Sequence, residues 1–335
     1  MSARGLRFGV FDHIDANGQP VAEQYASRLR LAELYERLGF YCYHLTEHHA
    51  TDLGMASSPS VFLAAVAQRT STIKLGTLVY LLPLHHPVRL LEEIGMLDQL
   101  SGGRFQLGIG RGGQPAEHSR FGLGEEHLGP MFEEALEIIE QGLSGVLPAH
   151  KGRYYDLPDV PLRIRPLQQP RPPLWYGTGS SHRNQWAAER DVNLLCLVPN
   201  ARSREIFDDY RERLDKLGKA EPLIGQARQI VVAETDAEAE RVAERAWRRF
   251  ATNFNWLVEH LGRPAFPLAQ TFAGAVEQGL AFAGSPASVR QFVARARDEA
   301  GANYLALELA FGDLAEEEAG QSATLFAREV MPEFA

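Results

Sequence analysis

The sequence predicts a (β/α)₈ barrel, and three observations carry that prediction. Short, nearly continuous apolar runs alternate with amphipathic helical periods along almost the whole chain. The count of such runs is eight. Polar and glycine residues gather directly after the runs, where parallel α/β folds keep their chemistry. Periodicity cannot see closure, so a doubly wound open sheet is the rival reading.

Leu6 to Phe11 reads as the first strand and is followed by Asp12, His13 and a turn at Asn17-Gly18. Val21 to Leu38 carries apolar residues three and four apart and stops at Gly39, the pattern of an amphipathic helix. Tyr41 to Thr46 is the second strand, Val61 to Gln68 a helix, Ile73 to Val79 the third strand and Val88 to Leu100 a helix behind Pro87. Phe105 to Gly110 is the fourth strand and Met131 to Leu143 its helix. The segment 146–173, rich in Pro, Arg and Tyr, breaks the rhythm and predicts an excursion, a small hairpin, before the fifth strand Leu174 to Gly177.

Helix Ser181 to Arg190, strand Asn193 to Val198, helix Ser203 to Leu217, strand Gln229 to Glu234 and helix Ala237 to Phe250 restore the alternation. From Ala251 to Gly284 no period is visible, and a long irregular insertion at this place predicts a lid. A helix opening at Ser285-Pro286, the eighth strand Tyr304 to Leu309 and helix Glu316 to Val330 close the chain. With insertions after strands 4 and 7 and no evident linker, residues 1–335 read as one domain.

Composition narrows the function. A formal charge of -9 argues against nucleic acid or an anionic membrane surface as general partners, so an anionic ligand needs a local cationic site. Cys42 and Cys196 lie inside apolar runs and read as packed thiols. Met1 to Arg4 leads into a strand without the apolar core of a signal peptide, and no apolar run reaches the ~18 residues of a membrane span; the expectation is a cytoplasmic protein.

In a barrel, the residues just after each strand share one mouth. Gly108-Ile109-Gly110-Arg111-Gly112-Gly113 brings bare backbone and a guanidinium to the fourth strand end, and Gly177-Thr178-Gly179-Ser180-Ser181 brings hydroxyls and amides to the fifth. Together they suit a phosphate dianion. A dinucleotide fingerprint fits poorly, because Pro115 and polar residues follow where a helix must open. Leu45-Thr46-Glu47-His48-His49 ends the second strand in a carboxylate and two imidazoles, an acid/base site at neutral pH. His44 reads as structural, and His85 and His86, ahead of Pro87, as capping or packing residues. Among the 11 histidines there is no H-x-H strand or H-E-x-x-H helix, so no metal is expected.

These residues also resemble a family. Arg7-Phe8-Gly9-Val10-Phe11, Gly39-Phe40, Glu47-His48-His49, Leu75-Gly76-Thr77, His86-Pro87-Val88-Arg89 and the run from Leu97 to Phe105 stand as they do in the bacterial luciferase-like flavin monooxygenases. So do Gly108 to Gly112, Trp186 to Arg190, Gly284-Ser285-Pro286 and Phe326 to Pro332. The resemblance implies a barrel binding FMN at the carboxyl ends of its strands, with Arg111, Gly179, Ser180 and Ser181 on the phosphate. It implies Thr46 and a non-prolyl cis peptide at Leu78–Val79 against the isoalloxazine ring, and Glu117 as an acidic residue near the flavin.

His48 takes the position of the family's catalytic histidine, with Glu47 or His49 expected to orient it. The implied chemistry is reaction of reduced FMN with O₂ to a C4a-hydroperoxyflavin that oxygenates a small organic substrate. Reduced flavin would come from a separate NAD(P)H:flavin reductase, and the oligomer would be a homodimer. Gly110 stands where the luciferase catalytic subunit has a cysteine, which argues against light emission from a long-chain aldehyde. Two further readings are a deazaflavin (F420)-dependent hydride-transfer enzyme and a non-catalytic flavin-binding subunit. Phe250, Phe254, Trp256, Phe266 and Phe272 read either as a cover for an apolar substrate or as structural packing.

Overall fold

The computed structural model describes residues 5–145, 147–159 and 161–334. The expected leaderless start at Met1 to Arg4, the first excursion residue Val146, and Val160 and Ala335 lie outside the described residues. In order, the elements are β1 (Arg7–Asp12), α1 (Val21–Arg37), β2 (Cys42–Leu45), α2 (Pro59–Arg69), β3 (Lys74–Thr77), β4 (Tyr80–Leu81), α3 (Pro87–Leu100) and β5 (Phe105–Gly110). There follow α4 (Pro115–Ser119), α5 (Glu125–Leu143), β6 (His150–Lys151), β7 (Asp156–Leu157), β8 (Leu174–Gly177), α6 (Asn184–Glu189), β9 (Asn193–Cys196) and α7 (Asn200–Leu217). The chain ends through β10 (Ile224–Val232), α8 (Asp236–His260), α9 (Phe272–Glu277), β11 (Ala281–Gly284), α10 (Pro286–Asp298), β12 (Tyr304–Glu308) and α11 (Glu316–Glu329).

The strands β1, β2, β3, β5, β8, β9, β10 and β12 pair in parallel in that order. The last returns to the first, with Arg7 opposite Tyr304 and Val10 opposite Leu307, so the sheet is a closed barrel and the open-sheet rival is excluded. Inside it, Trp175 of β8 meets Tyr304 of β12 with ring centroids 4.9 Å apart, a contact across the lumen between strands that are not neighbours. Leu195, Ala227, Ala306 and Phe11 complete this inner layer. Gly9 makes room for it, since a Cβ there would lie 1.7 Å from the Tyr304 hydroxyl. The outer layer packs the other strand face against the helices through residues such as Leu31, Tyr35, Leu63, Ile94, Ile138 and Phe207.

His44 is part of the inner layer, with its Nε2 2.8 Å from the Tyr304 hydroxyl and its ring edge-on to Trp175. Burial drives its pKa down to about 3. A histidine held neutral in the fold binds a proton more readily once unfolded, so its contribution is whole above the unfolded pKa near 6.5 and fades as pH falls below it. Relative to a His44→Gln variant, the wild type is expected to lose roughly 2 kcal/mol of unfolding free energy between pH 7 and pH 5. Paired urea titrations at the two pH values measure it, and an unchanged difference would show that His44 is not held neutral.

Several boundaries differ from the sequence-based expectation, two of them where polar residues are buried. The seventh barrel strand β10 starts at Ile224 rather than Gln229: Gln226 and Arg228 are buried against Ser203 Oγ and the Val198 carbonyl, which interrupts the apolar run. The segment 251–284 is an insertion after that strand, but much of it is regular. Helix α8 continues to His260 through the buried Asn253 and Asn255, α9 follows, and β11 pairs in parallel with the upper half of β10. The irregular part is 261–271. Helix α5 begins at Glu125, ahead of the expected Met131, and carries Pro130 inside it. The short helix α4 was not expected. The excursion before the fifth strand contains the antiparallel hairpin β6–β7, as expected. No helix of the described residues is long and apolar enough to cross a membrane.

Candidate active site

The barrel places the ends of its strands at one mouth, and the first residues there are structural. Asp12 at the end of β1 accepts from the Tyr43 hydroxyl at 2.8 Å and the Ile14 amide at 2.7 Å, and pairs with the buried Arg28 guanidinium at 3.3 Å. This clamp ties β1, β2 and α1 together beneath the mouth.

After β2 the chain presents Thr46, Glu47, His48 and His49. The two imidazoles diverge, as adjacent residues on an extended segment do. His48 Nδ1 lies 2.8 Å from Glu117 Oε1, and Glu117 Oε2 accepts from the His49 amide at 3.1 Å. The expectation that Glu47 or His49 orients His48 is therefore corrected: the short helix α4 delivers Glu117 to that task. Glu47 instead takes His49 Nε2 at 2.7 Å, His85 Nε2 at 2.9 Å and the Leu81 amide at 2.9 Å. Burial alone would raise the Glu47 carboxyl, but the bonds from His49 and His85 outweigh it and hold it below the usual carboxylate range. His85 responds in the opposite direction: burial lowers it, Glu47 raises it, and the net shift is upward.

The third strand breaks at its top. The Leu78–Val79 peptide is cis, as the family resemblance implied, and the chain resumes as β4 against Ile109 and Gly110. Gly110 keeps the surface beside this peptide clear, since a Cβ there would lie 2.5 Å from Val79 Cγ2. Beyond it, Arg111 is exposed and makes no ion pair among the described residues, and its charge is felt by Tyr176 and Arg183 from the fifth strand end. The turn at Gly179, Ser180 and Ser181 is held by Thr178, whose hydroxyl donates to the Ser180 carbonyl at 2.7 Å. Helix α6 starts only at Asn184, so Ser180 and Ser181 stand in a turn ahead of the helix rather than at its first residues.

A second imidazole–carboxyl pair lies beside the first. His13 Nδ1 is 2.6 Å from Glu308 Oε1, Glu308 Oε2 accepts from Gln229 Nε2 at 2.6 Å, and the His13 and His48 rings stack 5.4 Å apart at 25°. Phe250 of α8 meets His13 edge-on at 5.6 Å, and Phe254 meets Phe266 at 5.9 Å over the same wall. Phe272, by contrast, packs on Trp247 away from the mouth.

The mouth thus brings together Thr46, Glu47, His48, His49 and Glu117 on one side, with Leu78 and Val79 leading to Arg111 and the Gly179–Ser181 turn on the other. Sequence reasoning missed Glu308 and Arg183, and it gave His85 only a packing role. The His-Pro pair at His86-Pro87 pointed to a helix start, and nothing in it revealed that His85 turns back to Glu47.

The residues fit a flavin. Thr46 Oγ1 and Gln114 Oε1 are buried polar atoms without a partner, at a site lined with backbone and ending in an unpaired cation. Among the described residues no cluster of His, Cys, Asp and Glu could hold a metal ion.

Comparison with known proteins points the same way. The chain is 43% identical to the uncharacterized protein y4wF of Sinorhizobium fredii, over 92% of each chain. It is 26% identical to the oxygenase component of the flavin-dependent trigonelline monooxygenase of Acinetobacter baylyi, over 70% of this chain and 67% of that one. Among solved structures, monooxygenase RslO1 from Streptomyces bottropensis superposes with a TM-score of 0.89 at 25% identity, covering 98% of this chain and 100% of that one. The oxygenating constituent of 3,6-diketocamphane monooxygenase from Pseudomonas putida, solved with FMN, gives 0.82 at 22% identity over 99% of each chain. The fold is also shared with an F420-dependent tetrahydromethanopterin reductase from Methanopyrus kandleri, TM-score 0.72 at 18% identity, covering 99% of this chain and 100% of that one. The family model for luciferase-like monooxygenases matches residues 6–308, and the chain belongs to that family.

Proposed function

We propose that the protein is the oxygenase component of a two-component flavin monooxygenase, which uses reduced FMN from a separate NAD(P)H-dependent reductase and O₂ to oxygenate a small organic substrate. The observation that carries this reading is the half-buried His48 held by the buried Glu117, beside the clear surface at Leu78–Val79 and the orphaned Thr46 hydroxyl. The A. baylyi relative, named as an oxygenase component, and the FMN held in the P. putida structure support it.

When bound, reduced FMN supplies the two electrons with which one oxygen atom of O₂ enters the substrate and the other leaves as water. The chain's own residues do the rest. Arg111 and the Gly179–Ser181 turn would hold the phosphate, Leu78 and Val79 would support the ring, and Thr46 Oγ1 would gain a partner from the flavin. Glu117 holds His48 by Nδ1, which leaves Nε2 free to move a proton in the mouth. Glu47 keeps His49, His85 and the Leu81 amide in register behind that surface. Phe254 and Phe266 shield the reaction from water.

Reconstitution tests the reading. FMN is expected to bind, and an Arg111→Met variant is expected to bind it roughly 10- to 100-fold more weakly, the loss of a charge-assisted phosphate contact. Flavin fluorescence titration measures this, and equal affinity of the two proteins would remove Arg111 from the phosphate site. Rapid mixing of the reduced complex with O₂ is expected to show a flavin absorbance transient distinct from both the reduced and oxidised forms. A protein built for deazaflavin hydride transfer would take F420 in place of FMN and show no such transient. A supporting subunit would bind FMN yet never oxygenate a substrate.

A further inference from the structure

The family chemistry as proposed uses one imidazole, and the mouth contains two, each pinned by Nδ1 to a buried carboxyl group. We infer that His13 is a second functional imidazole, whose Nε2–H donates to the oxygen of a phenol or enol substrate while His48 Nε2 takes that oxygen's proton. The inference rests on the oxygenase reading and names its substrate class.

The hydrogen-bond partners give the two rings opposite faces. Glu117 is used as an acceptor at both oxygens, Oε2 by the His49 amide, so His48 donates through Nδ1–H and presents a bare Nε2. Glu308 differs. Its Oε2 already accepts from the Gln229 amide, it is wholly buried, and among the described residues no cation pairs with it beyond His13 itself. Burial, followed by the charge of Asp12, raises its pKa well above the carboxylate range, and burial drives His13 down to about 4. With both groups uncharged, the single proton between them sits on Glu308 Oε1, and His13 must carry its own proton on Nε2.

The His13 ring is wedged between Phe11 at 5.0 Å, His48 at 5.4 Å and Phe250 at 5.6 Å, so that N–H has a fixed position. Neither Nε2 has a hydrogen-bond partner among the described residues.

A bare nitrogen and an N–H donor on rings stacked 5.4 Å apart match one oxygen that both gives and accepts hydrogen. In the step, the substrate O–H bond breaks, the N–H bond forms at His48 Nε2, and the electron pair stays on oxygen. The resulting imidazolium faces the Glu117 carboxylate, and the oxyanion faces His13 Nε2–H. No electron leaves the substrate. The product is an electron-rich phenolate or enolate carbon, which is what an electrophilic oxygen donor attacks. An aldehyde offers no proton to His48 and uses only half of the pair.

Two measurements test this, and neither is turnover of the loaded enzyme. The first is the ¹⁵N spectrum of histidine-labelled protein, with and without FMN, with His13 assigned by its absence from a His13→Asn variant. A proton on Nε2 and a bare Nδ1 at neutral pH is expected; a proton on Nδ1, or an imidazolium, overturns the inference. The second is binding of 4-nitrophenol, whose ionisation is visible, at a pH where the free probe is mostly protonated. Wild-type protein is expected to bind it as nitrophenolate, and His13→Ala to bind it about tenfold or more weakly, with less of it ionised. Glu308→Gln, with His13 in place, is expected to keep most of the wild-type binding and ionisation, since an amide N–H replaces the carboxyl O–H as donor to Nδ1. Equal binding and ionisation in wild type and His13→Ala overturns the inference. Failure of FMN to bind would instead strike the oxygenase reading and leave the tautomer result standing.

Discussion

A His48→Ala variant is expected to form oxygenated product ~10²–10⁴-fold more slowly than wild type, the usual contribution of a positioned acid/base. Flavin binding should survive, because His48 touches neither Arg111 nor the Gly179–Ser181 turn. Oxygen consumption should continue too, with hydrogen peroxide released where product was formed. The ratio of peroxide to product, measured in the same reaction, is thus the readout that separates a lost proton-transfer group from a collapsed site. Glu117→Gln should fall between the two: its amide still reaches His48 but no longer carries the charge that balances an imidazolium. Glu47→Gln is expected to act differently, by loosening His49, His85 and the Leu81 amide together. If His48→Ala keeps full coupling, the proton-transfer role belongs elsewhere in the mouth.

The largest stability effect is expected at Arg28. It is buried, pairs with Asp12 at 3.3 Å and donates to the Ala310 carbonyl at 3.0 Å, so it joins α1 to the ends of β1 and β12. Removing the cation by Arg28→Ala leaves the Asp12 charge buried with only the Tyr43 hydroxyl and the Ile14 amide, at a cost of about 3–5 kcal/mol. Urea unfolding of the variant measures it. The double variant Asp12→Asn with Arg28→Met should recover part of the loss, because it no longer strands a charge. A loss for Arg28→Ala below about 1 kcal/mol would mean that the pair is as weak as a surface one.

The alternation of the barrel was legible because each barrel strand buries both faces and so reads as an apolar run. Boundaries were lost where a polar side chain finds a partner inside: Gln226 and Arg228 hid the start of β10, and Asn253 and Asn255 hid the second half of α8. The site shows the same division. Residue types at strand ends could be read, since His48 and Arg111 follow apolar runs directly. Their pairings could not. Glu117 lies 69 residues from His48, and Glu308 lies 295 from His13, so only the closure of the barrel brings them together. The adjacent Glu47 was the local candidate for orienting His48, and it lost because His49 and two donors from the segment after β3, His85 and the Leu81 amide, claim it.

One feature of the barrel bears on how such proteins diversify. Strand β10 is long enough to serve three ladders: its lower half pairs with β9 and β12, and its upper half with β11. Helix α8 leaves from the top of β10, β11 returns to it, and the two pack on each other. The residues between them, 261–271 included, therefore start and finish on the same scaffold strand. That segment can be lengthened, shortened or exchanged as a cassette while the eight-stranded frame below keeps its register.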